Sequence, residues 1–224
     1  MNDFSKWQGC KLPTIKVLEG RFVRLELLDI SKHGEGLFAA CSQDDAEVRF
    51  EWLPGEAPKD MDEFKTWLEK TDTDDGSICY VVIDKYANKI CGRQMFLRLD
   101  PANGSIEIGN IFWNKDISRT PVTTQALYLF ANHIFEDLGY RRFEWKCNNE
   151  NEPSKNAALR FGFQYEGLFR QNMIVKGKNR DTAWYSILDS EWPLLKLAFE
   201  NWLAPSNFDT QGAQKSKLSD FINS

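Results

Sequence analysis

The chain has 224 residues, 42% hydrophobic and 27% charged, with eight tryptophans, sixteen phenylalanines and a net charge of −5. That suffices for one domain with appendages and excludes a disordered chain. No Lys/Arg block exceeds two residues, so the electrostatic footprint of a nucleic-acid binder is missing, while a cationic amine remains compatible with the acidic balance.

No apolar run approaches the ~20 residues of a membrane span, and Met1 to Trp7 lacks a signal-peptide core. The expectation is a cytoplasmic protein without membrane partners. Cys10, Cys41, Cys79, Cys91 and Cys147 are odd in number and unpaired in spacing, which predicts free thiols in a reducing compartment. His33 and His133 lie far apart, away from any cysteine at ligand spacing, so neither a metal site nor a histidine-dependent triad is expected.

Residues 1–18 read as an arm before the strand Arg21 to Leu27, where apolar and charged residues alternate. Asp29 can cap a first helix carrying Leu37, Phe38 and Ala40, and a loop follows at residues 50–59. Met61 to Lys70 has helical spacing, and Asp72-Thr73-Asp74-Asp75-Gly76 reads as a solvated turn. Three strands, Ile78 to Ile83, Ile90 to Leu99 and Ser105 to Trp113, form a predicted antiparallel meander. The longest helix is expected over Val122 to Leu138, stopped by Gly139, before a buried strand at Arg142 to Cys147. A short helix after Asn151, two strands around Phe163 to Val175 and Arg180 to Leu188, and a helix at Glu191 to Leu203 complete the order. From Pro205 onward the polar tail is expected to be disordered.

The stretch Asn151-Glu152-Pro153-Ser154-Lys155-Asn156-Ala157-Ala158-Leu159-Arg160-Phe161-Gly162-Phe163, followed by Glu166-Gly167, is the most specific in the chain. With Leu138-Gly139-Tyr140-Arg141-Arg142, it resembles the acyl-CoA-binding helix and flanking strands of the GNAT N-acetyltransferases. The hairpin from Phe169 through Tyr185 resembles their Rim-type (ribosomal-protein N-terminal acetyltransferase-like) branch. The resemblance runs from Leu18 to about Trp192. It implies an α/β (α+β) GNAT fold: a mixed, mostly antiparallel sheet of about seven strands, splayed in the middle, with helices on both faces. The acetyltransferase domain is then residues 19–192, the C-terminal helix 193–204 and the polar tail 205–224.

The resemblance also implies acetyl-CoA as co-substrate, without a metal, and direct attack by an acceptor amine. The acceptor is either a small molecule or a protein N-terminus, and the protein either a monomer or a homodimer. A non-catalytic acyl-CoA-binding homologue is the alternative from a different class. Pantetheine is expected on the backbone of Ile111, Phe112 and Trp113, freed by a bulge at Gly109. Asn151 and Ser154 lie across the splay. Pyrophosphate is expected at the start of the long helix, over Arg119, Thr120, Val122, Thr123 and Thr124. That loop departs from the family, whose pattern carries glycines. Reading from Arg119 puts Val122 and Thr124 at the glycine sites, and aligning on the Thr-Glu-Ala that often follows puts Pro121 and Thr123 there. Three threonine hydroxyls and Arg119 are the candidate compensation. By resemblance Ser154 is the acid. Glu107 is the candidate base, with Glu166 second and a structural ion pair as the competing role of either. Cys147 reads as a buried, inert thiol, and Trp184 and Tyr185 as candidate walls of an acceptor pocket.

Overall fold

A computed structural model of the chain describes residues 3–72 and 76–223, apart from the side chains of residues 71 and 72. The expected acidic turn at 72–76 rests on residues outside that set. Eight strands form one sheet in the order β1-β2-β3-β4-β5-β6-β8-β7. They are β1 Val17–Glu19, β2 Val23–Leu27, β3 Ile78–Asp84, β4 Lys89–Asp100, β5 Ser105–Trp113, β6 Arg142–Asn148, β7 Gln164–Val175 and β8 Lys178–Leu188. All neighbours are antiparallel except β5 and β6. The strand beyond the seven expected is β1, a three-residue edge strand in the arm, too short to carry an alternation signal.

The helices are α1 Ile30–Cys41, α2 Ala46–Phe50, α3 Met61–Asp72, α4 Pro121–Asn132, α5 Glu152–Arg160, α6 Trp192–Leu203 and α7 Leu218–Ile222. Asp29 caps α1 by accepting from the N–H of Ser31 and Lys32. α4 continues into a wider π turn at His133–Asp137 and stops at Gly139, whose φ of 75° suits a residue without a side chain. Its buried stripe of Ala126, Leu127, Phe130, Ala131 and Ile134 packs on the main core with α6. A second core lies on the opposite face, where α1 and α3 bring Leu37, Phe64 and Leu68 against Val81, Ile83 and Phe112.

The C-terminal tail is folded where disorder was expected. Phe208 packs between Phe22 and Trp202, Asn207 Nδ2 donates to the Trp202 carbonyl, and α7 buries Leu218. A few apolar side chains among many polar ones anchor it, so composition averaged over the tail misleads.

Candidate functional site

Strands β5 and β6 pair only from Ser105↔Arg142 to Ile108↔Trp145. Beyond that point β5 runs on to Trp113 and β6 to Asn148 without pairing to each other, which opens the sheet in a V. Between β4 and β5 the register steps from Arg93↔Phe112 to Met95↔Gly109, so two residues oppose three. The irregularity expected at Gly109 is present, but the left-handed residue is Asn110, at φ 46°. Gly109 answers a different need: a Cβ there would stand 2.5 Å from Leu97 Cδ1. Phe112 puts its ring into the second core, 5.2 Å from Phe50, so only its backbone can line the V. Trp113 meets Phe161 edge-on at 6.3 Å, and its Nε1 is buried without an acceptor. The Trp113 carbonyl already accepts from Arg49 Nη1 at 2.8 Å.

Helix α5 forms the other wall. Asn151 is its N-cap, its Oδ1 accepting from the Ser154 N–H at 3.0 Å. The Asn151 amide NH2 has no partner among the described residues. Pro153 fits the first turn, and Gly162 ends the helix at φ 88°, where a Cβ would strike Leu195. Ser154 therefore sits at the V instead of capping, and its Oγ accepts from Trp145 Nε1 at 3.0 Å. Burial pushes the Cys147 thiol up, while a hydrogen bond from the Ser154 hydroxyl pulls the other way.

At the start of α4, every threonine hydroxyl is engaged inside the protein. Thr120 Oγ1 donates to the Ile117 carbonyl and caps Val122 N–H, Thr123 Oγ1 donates to the Thr120 carbonyl, and Thr124 Oγ1 accepts from Arg160 Nη2. The side chains of Val122, Thr123 and Thr124 are buried. Gln125 Oε1 accepts from Phe22 N–H at 2.6 Å, tying α4 to β2. Of the expected compensation, the threonine hydroxyls are thus already engaged, which leaves the cations beside this turn. Arg119 is exposed and has no ion-pair partner among the described residues, and Arg160 reaches the same turn from α5. Arg119 is also the loop's left-handed residue, at φ 62°. The conformational need that a glycine meets elsewhere falls on 119, outside both sequence registers.

Glu107 lies across the sheet from Ser154. Its partner on β6 is Lys146, next in sequence to Trp145, and successive strand residues face opposite ways. Glu107 is 3% exposed; its Oε2 takes Lys146 Nζ at 2.8 Å and Arg98 Nη1 at 2.5 Å. No donor among the described residues reaches Oε1. Lys146 also pairs with Glu144 and lies 3.8 Å from the Trp184 ring centre. Glu166 is held by Arg142 in a two-pronged pair and by Ser186 Oγ, which keeps its carboxyl below the usual range. That arrangement removes Glu166 from the V and makes it a structural partner. The tip of the β7–β8 hairpin reaches the end of α2, with Lys176 Nζ donating to the Phe50 carbonyl at 2.9 Å. Arg160 and Trp145 are not singled out by sequence reasoning, which reads Arg180, with Arg170, Lys176 and Asp181, as a solvated hairpin charge. An arginine in an amphipathic helix or hairpin reads as a solvated charge until its neighbours are known.

The acetyltransferase (GNAT) domain model matches residues 24–164. A GCN5-related N-acetyltransferase from Brucella melitensis has 54% identity and a TM-score of 0.94, covering 97% of this chain and 99% of that one. The ribosomal-protein-serine acetyltransferase of Escherichia coli K12 is 31% identical over 106 residues, 46% of this chain and 58% of that protein. The N-acetyltransferase p20 of Bacillus licheniformis, of uncharacterized function, is 29% identical over 117 residues, 50% of this chain. The matched region thus spans less than two thirds of the length of these curated relatives, 58% and 63%. With the V between β5 and β6 flanked by the α4 and α5 N-termini, the matched domain shows that this chain belongs to the GNAT acetyltransferase family.

Proposed function

We propose that the protein is an N-acetyltransferase that moves acetyl from acetyl-CoA directly to a primary amine. The observation that carries this reading is the V itself, with a hydrogen-bond acid on one face and a carboxylate on the other. The residues around it fit the co-substrate. Unpaired β5 backbone and the Asn151 amide supply donors for pantetheine carbonyls. The first turn of α4, with Arg119 and Arg160, offers positive charge for pyrophosphate.

Ser154 gives a lone pair to Trp145, so its own proton is available to a departing thiolate. Glu107 Oε1 is the candidate site for the amine's proton, received directly or through water. Attack from the Glu107 face and departure on the Ser154 face then need no covalent enzyme intermediate. Cys147, whose thiol burial pushes up, is a poor nucleophile. Lys146 and Arg98 position the Glu107 carboxylate.

The Escherichia coli relative supports the Rim-type branch, and with it a second reading in which the acceptor is a protein N-terminus. Residues 19–192 form the acetyltransferase domain in this reading. Five free cysteines suit a reducing compartment such as the cytoplasm, and no described helix is long and apolar enough to cross a membrane. The test is thiol release from acetyl-CoA across a panel of small amines and peptides. Acetylation of one class identifies the acceptor, and binding of acetyl-CoA without release from any amine favours a non-catalytic homologue.

A further inference from the structure

On the Glu107 face of the sheet, Arg98, Lys146 and Arg142 each have a carboxylate partner among Glu107, Glu144 and Glu166. Arg180 is the exception. It lies on β8 two residues before Thr182, whose partner Asn148 is the last residue of β6, and so beyond the end of that pairing. Residues 180, 182 and 184 share a face by alternation, and Trp184 fixes that face as the Glu107 side through its contact with Lys146. Arg180 is therefore at the mouth of the V, on the side from which an acceptor approaches.

Arg180 is half-buried, and its Nε is sealed from solvent without an acceptor. Among the described residues it has no ion pair, side-chain hydrogen bond or ring contact. Burial pulls its guanidinium down, with Glu107 and Cys147 near enough to pull it back up. Trp184 Nε1, on the same face, is also a buried donor without an acceptor. A half-buried cation without an ion-pair partner is costly, and a ligand anion relieves that cost. The other cations on this face are already paired with Glu107, Glu144 and Glu166, so the single free guanidinium balances one carboxylate and not a doubly charged phosphate, and its plane matches that carboxylate in a two-pronged grip.

We propose that Arg180 is a specificity-determining residue and that the acceptor is an amine bearing a carboxylate, which Arg180 holds. The inference rests on the acetyl-transfer reading and names its substrate class. The test uses the ladder of ω-amino acids from β-alanine to 6-aminohexanoate, each against its carboxamide. Two readouts are taken: thiol release from acetyl-CoA, and calorimetric binding to the CoA-saturated protein. A charged hydrogen-bonded pair predicts about a 10- to 100-fold preference for the acid at the best-fitting length. Arg180→Gln reduces that preference to within about twofold, Arg180→Lys retains part of it, and CoA affinity is unchanged in both. Failure of acetyl transfer alone appears as absent thiol release with the binding preference intact. The proposal is overturned if carboxamides bind and react as well as acids, or if no member of the ladder binds. It is equally overturned if the preference survives Arg180→Gln, or if that substitution weakens CoA binding instead.

Discussion

Trp145 Nε1 donates to Ser154 Oγ at 3.0 Å, from the core of β6 to the first turn of α5. This one contact fixes the serine's direction. With a lone pair occupied by an indole that can only donate, the hydroxyl keeps its own proton free to give to another acceptor. Ser154→Ala is expected to lower kcat by about 10²-fold or more, the scale of a positioned proton donor. It leaves Trp145 Nε1 buried without a partner, at about 1–3 kcal/mol of stability. Steady-state kinetics and thermal unfolding of the same variant check both, and Trp145→Phe separates them by restoring packing without the donor.

Glu107 stands on the opposite face with two cations on Oε2, so a structural and a chemical role make different predictions. Glu107→Gln keeps the shape, leaves Lys146 with Glu144, and is expected to cost about 1–3 kcal/mol. If Oε1 takes the amine's proton, the variant also loses about 10²-fold or more in kcat/KM. A loss of only a few fold assigns Glu107 to structure alone.

The cysteines give a chemical check on direct attack. Burial pushes Cys41 to about 12 and Cys91 to about 11 and raises Cys147. In the native protein at pH 8, a disulfide reagent is expected to titrate Cys10, the only partly exposed thiol among the described residues, well before the other four. Cys147→Ala is expected to retain transfer within a few fold, and an acetylated enzyme isolated without acceptor points to a covalent route instead.

Acid sensitivity follows from the ion pairs on the Glu107 face. Arg142 holds Glu166 below 4.5; Glu144, which burial alone would raise, is also lowered by hydrogen bonds from Lys146 and Arg142. For depressed carboxyls the stabilisation is present above the unfolded value and lost as pH falls through the folded one. Melting temperature is therefore expected to hold above about pH 5 and fall below it. Arg142→Met removes that lowering, so its melting temperature is expected to be reduced above about pH 5 and to fall less steeply below it.

Much of the fold was legible because periodicity and punctuation agree. The α4 stripe, the Gly139 stop, the Asn151 cap and the Lys176-Gly177 turn each follow from local residue types. What stayed hidden depends on long-range pairing. β1 gains its partners only from β2, Phe208 anchors the tail against a residue 186 positions earlier, and Arg180 stands out only when its neighbours' carboxylates are already taken. Leu218→Ala tests the folded tail: about 2–3 kcal/mol lost in thermal unfolding is expected for a buried leucine, and no loss returns the tail to a dispensable appendage.

The most direct measurement is a calorimetric titration of acetyl-CoA into the protein, its Asn151→Ala variant and its Arg119→Ala variant. The V between β5 and β6 predicts one site per chain. Both variants are expected to bind about tenfold more weakly, Asn151→Ala through the pantetheine arm and Arg119→Ala through pyrophosphate. The absence of binding heat in the unaltered protein, or an affinity indifferent to both substitutions, contradicts a co-substrate site in the V.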